Sequence, residues 1–178
     1  MPQAVTHVII ALIIGSLVRD YLIKDKKKFP LHYVLILGIA ALLPDIDIAF
    51  YWILYWFGFT LEAVHRTFTH NIFVPLAFFI LSLITIKTKN KEFGKHHVKL
   101  SIIFVMIAFG ISIHLVLDAT LAGYIKPFYP FNYKEIGLNL IDKLPSPLSD
   151  IFLPSLDAAL LVLWLIHEEW KHKISDFI

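Results

Sequence analysis

Long apolar runs broken by short polar clusters set the architecture of this chain. A helix needs about 20 mostly apolar residues to cross the hydrocarbon core of a bilayer, and five stretches reach or approach that length. The first runs from about Ala4 to Ile23, with Thr6 and His7 near one end and Arg19 and Asp20 near the other. The second, about Leu31 to Trp56, is interrupted by Pro44, Asp45 and Asp47. Proline removes a donor and disturbs the preceding turn, so this span is expected to be a broken helix lining a cavity. Asn71 to Ile86 is short for a span and carries Pro75 in its first turn, where proline is tolerated. Lys99 to Leu117 ends in His114 and Asp118, and Ile151 to Trp170 contains Asp157. Between these last two lies a proline-rich stretch, 119–150, with the aromatic run Phe128, Tyr129, Phe131, Tyr133. Within it Ile136, Leu140, Ile141 and Leu144 would share one helical face, which predicts a short helix in the membrane interface. The expected fold is all-α: a polytopic membrane bundle of about five transmembrane helices, a broken second helix and an interfacial loop or helix at 119–150.

Composition narrows the class. The chain is 58% hydrophobic with a mean hydropathy of +0.72, and its 17% of charged residues falls below the usual quarter. Its 178 residues suit one domain, expected to span 1–178. With no cysteine, disulfides and thiolate metal sites are excluded. A net charge of +2 is too small to point to nucleic acid. The first basic residue is Arg19, so the basic n-region of a cleaved signal is missing and the first helix is expected to be retained. Lys24, Lys26, Lys27 and Lys28 fill the first connection, and Lys87, Lys89, Lys91 and Lys95 the third. Lysine-rich short loops stay cytoplasmic. Five spans would then place the N-terminus, the second connection and the long fourth connection outside, with the C-terminus inside.

That orientation sorts the chemistry. His32, His96, His97, His167 and His172 fall near the cytoplasmic face, whereas His7, His65, His70 and His114 fall at the outer ends of their segments. Asp45, Asp47, Asp118 and Asp157 lie in the same outer layer. A carboxylate at bilayer depth costs several kcal/mol (about 3 on insertion scales) unless it is paired or faces water, and cations would offset that cost. His114 and Asp118, four apart, stack on one helix face and could bind one metal or adjacent metals. His65 and His70, five apart, sit about 140° apart on a regular helix, so they share a site only if the backbone between them is irregular. Plainer roles stand beside each of these. His7 could cap or lie at the interface, Asp45 and Asp47 could cap a second half-helix, and Arg66 could anchor to lipid headgroups. The aromatic run could be a membrane belt, and Asp157 a polar contact between helices.

The ordered set Thr6-His7, Leu43-Pro44-Asp45-Ile46-Asp47, His65-Arg66-Thr67-Phe68-Thr69-His70 and His114-Leu115-Val116-Leu117-Asp118 resembles a membrane-bound, metal-dependent hydrolase family. That family is typified by the LexA-regulated YdjM-like proteins. Lys126-Pro127-Phe128 and Tyr129-Pro130-Phe131 resemble its following segment, so the likeness covers about residues 1 to 135. Where that family commonly has Ser after the second histidine of the third motif, this chain has Asn71. The order is also similar to that of the zinc-dependent phospholipase C and nuclease superfamily, whose further downstream histidine ligands have no counterpart here. The resemblance implies His7, Asp45, His65 or His70, His114 and Asp118 as ligands, with Asp118 able to bridge two metals.

The expectation is therefore a metal-dependent hydrolase of phosphoester bonds with two divalent cations, Zn²⁺ first and Mn²⁺ or Fe²⁺ as alternatives. Asp45 or Asp47 would accept a proton from water, and both are also candidate ligands. Arg66 would meet the charge of a phosphoryl group. Placement at the outer interface suggests a lipid or lipid-linked substrate. Two rival classes remain: a metal-ion transporter, which needs polar ligands continuing into the cytoplasmic half, and a non-catalytic protein with a structural metal site.

Overall fold

The computed structural model describes residues 4–23, 28–87, 92–93 and 98–174. Helix α1 (Ala4–Leu17) continues as a π-helical turn, Val18–Leu22. Then come α2 (Leu31–Ala40), α3 (Ile46–Leu54) with a 3₁₀ extension Tyr55–Phe57, the single turn α4 (Leu61–Val64), α5 (Phe73–Lys87), α6 (Leu100–Thr120) and α7 (Leu148–His172). A two-residue antiparallel pair, β1 (Glu92–Phe93) with β2 (Val98–Lys99), precedes α6. Three helical stretches are long and apolar enough to cross a membrane: Ala4–Leu22, Leu100–Thr120 and Leu148–His172. The remaining apolar helices are shorter. The second apolar stretch is broken as expected, because residues 41–45 form turns between α2 and α3 around Pro44. Lys24, Lys26, Lys27, Lys89, Lys91 and Lys95, with His96 and His97, lie outside the described residues.

Large apolar side chains point outward. Trp52, Trp56 and Trp170 are mostly exposed, as are Phe109 and Val116 on α6. So extensive an apolar surface is suited to a lipid environment. At the closest helix contacts, small residues let backbones approach. Gly110 shows why: a Cβ there would sit 2.6 Å from both the Ala40 Cβ and the Leu37 carbonyl oxygen, so only glycine lets α6 close on the end of α2. Gly15 similarly admits Val34 and Leu37 of α2. At the far end of α6, the Tyr33 hydroxyl accepts a bond from the Lys99 amide at 2.7 Å.

Helix α7 packs along α1. Ser16 contacts Glu168 and Asp20 contacts His172, both 152 positions apart, so the two helices run parallel. The start of α1, the end of α2, the start of α5, the end of α6 and the start of α7 therefore gather at one end of the bundle.

Segment 121–147 corrects the expected interfacial helix. Only Ile141–Lys143 is helical, as one 3₁₀ turn. The Leu138, Leu140 and Ile141 amides donate to the carbonyls of Ala119, Thr120 and Leu121, while Ile125 and Ile136 exchange bonds with each other. These donors are spent on tertiary partners, so they cannot close helical turns. Ile141 is buried with Ala122 and Leu153 rather than lying at a free surface.

A candidate metal centre

Four elements deliver histidines and aspartates to the end of the bundle just described. His7 comes from the first turns of α1, Asp45 and Asp47 from the break between α2 and α3, and His114 and Asp118 from the last turns of α6. His65 and His70 come from the irregular run between α4 and α5. That irregularity satisfies the condition for the two histidines, five apart, to face one place. Their rings pack edge to face with centroids 4.9 Å apart.

The donors converge. His114 Nε2 and His70 Nε2 are 3.1 Å apart. Asp45 Oδ1 lies 3.6 Å from His70 Nε2 and 3.5 Å from His114 Nε2. Asp118 Oδ2 lies 3.5 Å from His70 Nε2 and 3.6 Å from His114 Nε2. Tetrahedral ligands about 2.0–2.1 Å from a cation stand about 3.3–3.4 Å from one another, so each carboxylate oxygen stands at about ligand spacing from the nitrogen pair. Three overlapping groups could hold a metal ion: His7, Asp45 and His114; Asp45, His65 and His70; and His70, His114 and Asp118. The His and Asp118 members are buried, and Asp45 is half-buried with its side chain 22% exposed.

Hydrogen bonds behind the rings fix which nitrogen faces inward. Ala41 O lies 2.7 Å from His114 Nδ1 and can only accept, so that nitrogen carries the hydrogen and Nε2 presents its lone pair. Asp47 plays the same part for two rings, with Oδ1 2.9 Å from His65 Nδ1 and Oδ2 3.2 Å from His70 Nδ1. Asp47 also accepts from the Thr69 hydroxyl and the Arg66 amide. It stands outside all three metal groups. Burial by itself would lower the pKa of His70, but its bonds to Asp45 and Asp47 raise it above the ordinary value.

Other atoms are left over. His7 stacks on His114 with centroids 3.9 Å apart, and its Nε2 is 3.5 Å from Asp118 Oδ1, the oxygen turned away from the nitrogen pair. His65 Nε2, His7 Nδ1 and Asp118 Oδ2 are buried without a hydrogen-bond partner. An unpaired buried polar atom is costly, and a cation beside Asp118 Oδ2 would remove part of that cost.

The sequence matches the family model of the YdjM inner membrane proteins over residues 1–172. The chain belongs to that family. The match continues well past residue 135, where the sequence motifs end, and takes in α7. Membership makes this an integral protein of the inner membrane, consistent with its outward-facing apolar helices. No curated protein and no solved structure matches it.

Two further placements bear on the sequence reading of this YdjM family member. Arg66, read as a substrate contact or a headgroup anchor, has a side chain only 18% exposed and directed at Asp118 and the 122–124 carbonyls. Asp157 is buried with both oxygens unpartnered, outside the metal groups. The register of α7 on α1 sets it level with Val5.

Sequence reading missed a second polar cluster, at the opposite end of α1. Ser16 donates to Glu168 Oε1 at 2.9 Å, and His172 Nε2 lies 3.0 Å from Asp20 Oδ2 and 3.8 Å from Glu168 Oε2. Arg19 Nη1 lies 3.1 Å from Asp20 Oδ1. The i, i+4 pair Glu168–His172 was the available signal, and it was passed over because Glu168 sits at the end of an apparent span.

Proposed function

We propose that this chain is a single-domain, membrane-embedded, metal-dependent hydrolase that cleaves a phosphoester bond in a lipid or lipid-linked substrate at the non-cytoplasmic interface. The observation that carries this reading is the facing pair His70 Nε2 and His114 Nε2. With their Nδ1 atoms backed by Asp47 and Ala41, the two Nε2 atoms face each other at 3.1 Å beside two carboxylates. A divalent cation would take both nitrogens as ligands in place of their contact with each other. Imidazole and carboxylate donors without thiolate suit Zn²⁺ first, then Mn²⁺ or Fe²⁺.

Asp45, His70, His114 and Asp118 would hold that cation. Asp118 Oδ1 with His7 Nε2 offers the start of a second, incomplete position, as a binuclear centre requires. When bound, the cations would supply Lewis acidity and bring the pKa of water towards neutrality. His65 is the group placed to move a proton. Asp47 holds its Nδ1 hydrogen at 2.9 Å, and Nε2 stays free near Asp45 and His70. Asp47 thus orients rather than ligates, and Asp45, the most exposed of the four donors, marks the way in.

A lipid substrate is supported by an apolar groove of about 440 Å³ between α5 and α6. It begins at Ile72, Ala119 and Ile125, beside His70 and Asp118, and extends along α6 to Ala108. The parallel packing of α1 and α7 requires an odd number of crossings, which agrees with five. The basic composition of the first and third connections supports placing the centre outside and the C-terminus in the cytoplasm. A transporter is disfavoured because residues 8–15 of α1 are all apolar or glycine, leaving about 13 Å between the two polar clusters. A structural metal site is the second reading, favoured by the four protein donors to that cation. The donors left over beyond those four, His7 and His65, favour catalysis.

Elemental analysis of detergent-purified protein, paired with hydrolysis of phospholipids and lipid pyrophosphates, tests the proposal. Bound cation with turnover is expected. Cation without turnover would establish the structural reading, and absence of both would end either one.

A further inference from the structure

Arg66 is more thoroughly held than a substrate-binding cation needs to be. Its backbone adopts φ +63°, a left-handed conformation uncommon for any residue but glycine. Its amide donates to Asp47 Oδ2 at 3.2 Å, which ties the backbone to the carboxylate behind His65 and His70. The side chain then runs to the end of α6. Nη2 donates to the Ala122 carbonyl at 2.9 Å and Nη1 to the Tyr124 carbonyl at 3.4 Å, while Nε lies 3.6 Å from Asp118 Oδ2.

The receiving side is shaped for this group. Gly123, between the two accepting carbonyls, has φ +113°, and a Cβ there would overlap the guanidinium. Asn139 Oδ1 accepts from the Gly123 amide at 2.9 Å, and Leu138 is bonded back to Ala119. Segment 121–144 therefore presents backbone oxygens around one planar cation. Arginine suits this because its rigid fork can meet several acceptors at once.

We propose that Arg66 is a positioning residue that fastens segment 121–144 over the end of the bundle and sets the Asp118 carboxylate, rather than the group that meets substrate charge. Its effect on Asp118 rests on the metal-centre reading, whereas the fastening of the segment does not. One residue thereby joins the orienting carboxylate Asp47, the ligand Asp118 and the covering segment. Displacing it would loosen all three.

The test uses the full-length protein in detergent, with Arg66→Ala, Arg66→Lys, Gly123→Ala and the double variant. The readouts are amide hydrogen exchange at Gly123 and Leu138 and Zn²⁺ affinity by titration. Arg66→Ala is expected to speed exchange at least tenfold and to weaken Zn²⁺ binding by about 10–100-fold, the range for groups that hold a ligand in place. Arg66→Lys should recover little of either. Gly123→Ala should weaken Zn²⁺ binding in the natural background and less in the Arg66→Ala background, where the guanidinium clash is gone and only the strain of alanine at φ +113° remains. Unchanged exchange in both Arg66 variants overturns the proposal. Faster exchange with unaltered Zn²⁺ affinity removes the Asp118 half of it. Faster exchange in a protein whose natural form binds no Zn²⁺ leaves the fastening intact and removes the metal reading instead.

Discussion

The two polar clusters use the same residue types in different arrangements. At the centre, donors from α6, the α2–α3 break and the α4–α5 run converge, with each of two carboxylate oxygens 3.5 to 3.6 Å from both nitrogens of a pair that are themselves 3.1 Å apart. At the other end of α1, the groups form a string of contacts between α1 and α7, with the Arg19 guanidinium 3.3 Å from His172 and 3.1 Å from Asp20. No metal-holding group occurs there among the described residues. A guanidinium already supplies the positive charge that the carboxylates need. Histidine and acid in a membrane helix are therefore an incomplete criterion for a metal. What separates the clusters is mutual convergence of donors, together with backing bonds that turn the ring Nε2 atoms towards one another.

The sharpest way to break this comparison is to remove one histidine from each cluster. His114→Ala deletes a donor shared by two of the metal groups and should leave less than a tenth of the natural metal content after dialysis. His172→Ala should leave that content unchanged and show instead as lower thermal stability. Metal content that falls equally in both, measured by elemental analysis on monodisperse protein, would erase the distinction.

Much of the centre was legible because its best signal is local. His114 and Asp118 are four apart on a helix, and the Pro44 break is written in the chain. Choosing between His65 and His70 was not, since it depends on the irregular path between α4 and α5. Nor was the orienting role of Asp47, which depends on which oxygen meets which ring. The second cluster was hidden for a topological reason. Arg19 and Asp20 read as the polar edge of one span and His167 and His172 as the edge of another, and only the parallel packing of α1 on α7 brings them together. The expected helix through Ile136 and Leu144 failed because tertiary acceptors on α6 took the donors that its local pattern assigned to a helix.

Within the centre, holding a cation and moving a proton should be separable. His65→Gln removes the free Nε2 while leaving Asp45, His70, His114 and Asp118 untouched. Turnover should fall by about 10²–10⁴-fold, the usual contribution of a positioned acid or base, with metal retained. Asp47→Asn acts one step further back. It keeps the shape but weakens the hold on both His65 and His70, so metal affinity should fall by about 10–100-fold. A His65 variant that loses its metal first would make His65 a ligand and return the proton-moving role to Asp45.

The smallest effect expected concerns the packing that brings these donors together. Gly110 sits one turn before His114, on the face that meets the end of α2, where the Ala41 carbonyl receives His114 Nδ1–H. In Gly110→Ala the added methyl meets the Ala40 Cβ, the Leu37 carbonyl and the Ala41 amide, and the backbone atoms among these cannot turn aside. Helix α6 must move out by a few tenths of an ångström or more, at a cost of about 1–3 kcal/mol for overpacking. The Ala41–His114 bond lengthens with it. Thermal unfolding in detergent should therefore drop by several degrees and metal affinity should weaken together with it. Ser16→Ala, at the opposite end, should lower stability while leaving metal affinity alone. Parallel losses of metal affinity in the two variants would mean that the bundle transmits strain along its whole length and that the centre is not set locally by the α2–α6 contact.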